Sequence, residues 1–124
     1  MRARARLKTF SEIDISCKSF YGSIKMKIKN INGSSSDRFK NPPQGYYSWI
    51  FYYKDKCGYS DIVSPSCANI LHNYICDNIV GAHVRKADSS DEKWYIVPLC
   101  ETCNALSSDV EIDIGNTPMV EVNP

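Results

Sequence analysis

An α+β fold is the class this sequence predicts, and three observations predict it. Ile24, Met26 and Ile28 alternate with Lys25, Lys27 and Lys29, the period-two pattern of a half-buried strand. Downstream, the aromatic run Tyr46–Tyr53 sets Trp49, Ile50 and Tyr53 at helical spacing, which puts them on one face of a short amphipathic helix. Six cysteines lie within 124 residues, and two of them form Cys100-Glu101-Thr102-Cys103. That spacing lets two thiolates hold one ion from a tight knuckle or the first turn of a helix.

The elements follow in chain order. Met1–Phe10 carries basic residues at every second position and reads as a basic arm, taken here to run over residues 1–22. A single domain of residues 23–124 follows, a length typical of one globular unit. Its first strand spans Ser23–Ile31. Asn32–Gly45, rich in Gly, Ser, Asn and Pro, is a long loop. Ile79–Val84 and Trp94–Leu99 are short apolar runs separated by the polar stretch Arg85–Lys93, the arrangement of a β-hairpin with a long loop. Glu101–Ser108 has helical character, and Val110–Ile114 and Met119–Val122 supply closing strands.

Charge is asymmetric along the chain. Residues 1–40 carry ten Lys/Arg against Glu12, Asp14 and Asp37, a balance of +7; the remainder carries five against eleven, a balance of −6. Attraction to nucleic acid would therefore come from the first third, through Arg2, Arg4, Arg6, Lys25, Lys27 and Lys29. No apolar run approaches the ~20 residues of a membrane span, so a membrane partner is not expected. The N-terminus shows no apolar core of a secretory signal, and an intracellular, reducing compartment is the expectation.

In such a compartment thiols more often serve metals than bridges. Of Cys17, Cys57, Cys67, Cys76, Cys100 and Cys103, all but Cys17 are candidate ligands. A structural zinc takes four sulfur or imidazole ligands and leaves no open position. Cys100 and Cys103 supply two. Any two of Cys67, His72 and Cys76 can complete the set; Cys67 and Cys76 are the preferred pair, His72 the main competitor, and Cys57 a weaker one. A cysteine knuckle then precedes the hairpin, and Cys-x-x-Cys lies at the hairpin's exit into a helix. That order of parts is a small zinc-bound treble clef, in which metal binding supplies folding free energy that a small core lacks.

At Val80-Gly81-Ala82-His83-Val84, followed by Trp94-Tyr95-Ile96-Val97-Pro98-Leu99-Cys100-Glu101-Thr102-Cys103-Asn104, the chain resembles the HNH endonuclease superfamily of treble clefs. The resemblance covers roughly Cys67 to Ser108. It implies that His83 stands where the general base activates water for attack on a phosphodiester, beside one Mg²⁺ or Mn²⁺ ion. Asn104 fits the position after the fourth cysteine, often held by His. Ala82 stands where the family usually has a metal-binding Asp, and Tyr95 where it has an orienting Asn. With two of four chemical positions kept, the expected function is a zinc-bound, HNH-like module, non-catalytic or weakly catalytic, that contacts nucleic acid or a nucleic-acid-containing assembly. An active endonuclease using His83 and Asn104, and a structural subunit docking on protein partners, are the alternatives.

Overall fold

The computed structural model describes residues 17–18, 26–31, 41–60, 62–71, 78–88 and 92–122. Arg2, Arg4, Arg6, Lys25, His72 and Cys76 lie outside them. The described chain forms six strands and two helices: β1 (Cys17–Lys18), β2 (Met26–Asn30), α1 (Trp49–Lys56), β3 (Ile79–Lys86), β4 (Tyr95–Cys100), α2 (Glu101–Asn104), β5 (Ile112–Gly115) and β6 (Met119–Glu121). The fold is α+β. All strands join one sheet in the order β1-β6-β4-β3-β2-β5, and every pairing is antiparallel.

Alternation places the side chains of β2. Ile28 and Asn30 are buried while Lys27 is exposed. The hairpin is the longest ladder, running from Ile79↔Cys100 to Val84↔Tyr95. All six residues of β4 are buried, which marks a strand covered on both faces. Pro98 interrupts its donors, and the Pro98 carbonyl instead accepts Ala68 N–H at 2.8 Å.

Chain length forces the sheet to roll. β5 and β6 stand four strand spacings apart in the order, about 19 Å in a flat sheet. Gly115 and Met119 are joined by four residue steps, which reach about 14 Å at most. The two strands therefore meet only if the sheet curls. Gly115, at φ +58°, and the bond from Thr117 N–H to Ile114 C=O at 3.0 Å turn the chain there. One cluster then collects Ile28, Val84, Tyr95, Ile112, Ile114 and Met119 with Cys100 and Cys103. A second collects Trp49, Tyr52, Tyr53, Ile96, Val120 and Val122 beneath α1.

α1 lies directly on β3. A Cβ at Gly81 would stand 2.6 Å from both Ile50 N and the Trp49 carbonyl carbon, so only glycine permits this approach. Trp49 and Tyr53 are buried on the helix face that the sequence pattern indicates, with Ile50 half-buried. The second helix is a single turn, shorter than the Glu101–Ser108 stretch with helical character. Cys17 and Lys18, assigned above to the basic arm, pair with Val120 and Met119 and belong to the sheet; the rest of residues 1–22 lies outside the described residues.

Cys17 and Cys57 are disulfide-bonded, with Cα atoms 5.3 Å apart. This corrects the reading of Cys57 as a weaker candidate ligand, since a bridged sulfur has no thiolate to offer a metal. The physical reason is tertiary: β1 at the sheet edge passes beside the C-cap of α1, a proximity between residues 40 apart that no local spacing encodes. No helix among the described residues is long and apolar enough to cross a membrane.

Candidate metal centre

Three segments deliver three thiols to one place. Cys67 lies in an irregular stretch held by two backbone bonds, Ala68 N–H to Pro98 C=O and Ile70 N–H to Asp113 C=O at 3.1 Å. Cys100 ends β4 and is the extended N-cap of α2, and Cys103 lies within that turn. Spacing of three residues across a helical turn puts Cys100 and Cys103 on the same side. The Sγ atoms of Cys67, Cys100 and Cys103 all lie within 4.8 Å of one another, and none of the three is in a disulfide. Cys100 and Cys103 are buried and Cys67 is half-buried.

Two of the sulfurs accept hydrogen bonds from amide donors. Cys100 N–H donates to Cys67 Sγ at 3.3 Å, and Asn69 Nδ2 donates to Cys103 Sγ at 3.4 Å. Donors aimed at sulfur orient it as a ligand, the usual surroundings of a bound soft metal. Tetrahedral ligation at ~2.3 Å sets sulfurs ~3.8 Å apart, a spacing this cluster reaches with small adjustments. The cluster can hold a metal ion.

Compared with family models, with curated proteins and with solved structures, the chain matches none.

The turn entering β3 is tied to the same centre. Asn78 adopts φ 51°, a left-handed conformation that Asn tolerates, and its Nδ2 donates to Glu101 Oε2 at 2.7 Å. The start of β3 and the start of α2 are thus joined beside Cys100.

His83 lies on another face. It pairs with Ile96 in the ladder, and its ring packs edge-on against Trp49 at 4.9 Å and Trp94 at 5.9 Å. Its Nε2 is buried within this aromatic group. Ala82, one residue earlier, points the opposite way into the cluster that holds Cys100 and Cys103. A side chain at position 82 and the His83 ring therefore face opposite sides of β3. Asn104 is half-buried at the end of α2.

One of the two described lysines of β2 stands opposite a further cation that the sequence does not single out. Lys29 pairs with Arg85 of β3, whereas Lys27 pairs with Asp113 of β5. Two cations directly opposite on neighbouring strands repel unless an anion lies between them. Sequence reading also missed Asn30 and Asn69. Asn30 had a legible signal, since it continues the apolar phase of Ile24, Met26 and Ile28 with a polar residue. Asn69 had none beyond its position two residues after Cys67.

Proposed function

We propose that this protein is a zinc-bound, HNH-like treble-clef module whose metal is structural, non-catalytic or weakly catalytic, and that it contacts nucleic acid, alone or within a larger assembly. One observation carries the reading: the sulfurs of Cys67, Cys100 and Cys103 converge and two amide donors point at them. Cys76 is the fourth ligand in this reading. A closed set of four sulfurs leaves no coordination position for substrate, so the ion contributes folding free energy and no chemistry.

The weak-catalysis part draws on His83. A general base needs access to water and a neighbouring metal carboxylate. An imidazole packed between Trp49 and Trp94, with Ala82 directed to the opposite face, favours a structural histidine. The nucleic-acid part draws on Lys29 and Arg85, whose adjacency a phosphate would relieve.

Elemental analysis of full-length protein purified without added metal tests the centre, with about one zinc per chain expected. Cys103→Ala should lose the metal and the cooperative fold together. Finding no metal would overturn the reading. Binding to single- and double-stranded nucleic acid across a salt titration tests the partner: Lys29→Gln with Arg85→Gln should flatten the log–log salt slope by about 1.4–1.8 units, and an unchanged slope would rule out this face. Cleavage with Mg²⁺ or Mn²⁺ should be undetectable or very slow. Robust cleavage lost in His83→Ala would establish an active endonuclease instead.

A further inference from the structure

Asn30 occupies a place where an apolar residue would be the ordinary choice. It continues the phase of β2 that carries Ile28 into the core, and it is 1% exposed. Its carboxamide spends both hydrogens on one short stretch of chain: Nδ2 donates to Cys103 C=O at 2.9 Å and to Leu106 C=O at 3.0 Å. The orientation of the amide follows from these partners, since two carbonyls accept only from the nitrogen side. Oδ1 is then left buried with no hydrogen-bond partner among the described residues, an unfavourable arrangement that a leucine at this position would avoid.

The stretch it holds is one that cannot hold itself. α2 is a single turn, and a helix this short does not persist through its own hydrogen bonds. Its terminal carbonyls need outside donors, and local bonds such as Leu106 N–H to Cys103 C=O at 3.2 Å satisfy them only in part. Asn30 reaches these carbonyls from 73 and 76 residues away in sequence, from a strand already fixed between β3 and β5. Asn69 meanwhile donates to the sulfur of the same Cys103. The residue is gripped at its backbone by one asparagine and at its thiol by another.

We propose that Asn30 is a positioning residue of the metal centre. By pinning the Cys103 carbonyl it sets where the Cys103 thiolate stands relative to Cys67 and Cys100, and so sets the affinity and geometry of the site. This rests on the metal-centre reading above.

Cobalt(II) is the probe, because its visible spectrum reports ligand geometry as well as occupancy. Full-length wild type, Asn30→Leu and the smaller Asn30→Ser are titrated with cobalt and then competed with zinc. Ile112→Val serves as a control that weakens the same core while leaving both Asn30 hydrogen bonds in place. The expected result is that both Asn30 variants bind metal about 10–100-fold more weakly, with a shifted ligand-field band. The control should lose stability while keeping the wild-type band. Asn30 variants that keep the wild-type spectrum and affinity would overturn the positioning role alone. Wild type that takes up no cobalt would overturn the metal centre, and the role of Asn30 with it. Should Asn30→Leu fail to fold, the Asn30→Ser spectrum decides.

Discussion

Asn69 donates its side-chain amide to the sulfur of Cys103 at 3.4 Å, two residues after Cys67 contributes a sulfur to the same cluster. One short segment thus brings both a ligand and the group that tunes a second ligand. The backbone bonds flanking it, from Ala68 and Ile70 to β4 and β5, keep the two in register. Asn69→Ala should therefore weaken metal binding about tenfold and leave the fold of the metal-loaded protein intact. Competition titration against a chelator of known affinity measures this. Asn69→Asp should be worse, because it sets a carboxylate against a thiolate.

At Gly81 the outcome depends on space alone. A methyl group there meets the backbone of Trp49 and Ile50, which cannot rotate away as a side chain can. Gly81→Ala should destabilise the protein by about 3 kcal/mol, the upper end of overpacking costs, because α1 must lift from β3. Urea unfolding followed by tryptophan fluorescence reads it directly, since Trp49 sits at the contact.

The Cys17–Cys57 disulfide closes a loop of 40 residues, for which chain entropy gives about 4 kcal/mol of stabilisation. Cys57→Ser should lower stability by up to that amount without changing metal content. The half-cystines pack with the α1 cluster, whereas the converging thiols of Cys67, Cys100 and Cys103 belong to the other one. A lower metal-binding capacity in Cys57→Ser would return Cys57 to the candidate ligands.

Tyr53 predicts a dependence on alkaline pH. Burial, with Tyr59 nearby, pushes its hydroxyl well above the ordinary value near 10, and the group donates to Pro118 C=O at 2.8 Å. Above pH ~10 the unfolded chain gives up this proton while the folded chain keeps it, so the unfolded state binds fewer protons. Stability should then fall as pH rises, by about 1.4 kcal/mol per unit, and show no dependence from this group below that range. Tyr53→Phe should remove the alkaline slope and cost about 1 kcal/mol at neutral pH. Denaturant midpoints at pH 9 and 11 for both proteins check the sign.

The sequence by itself determined the local parts of this protein. Alternation at Ile24–Lys29 marked β2, and the spacing of Trp49, Ile50 and Tyr53 marked the buried face of α1. The paired apolar runs marked the β3–β4 hairpin, and Cys100 and Cys103 marked two members of the cysteine cluster. Each of these is a pattern within one element or one tight connection, where periodicity and short spacing carry the physics. The tertiary structure alone decided the rest. The rolling of the sheet, the meeting of Cys17 with Cys57, the Lys29–Arg85 pair and the reach of Asn30 to Cys103 each join residues from separate elements. Such contacts depend on strand order and register, set by the sum of packing across the whole core, and no window of sequence contains that sum.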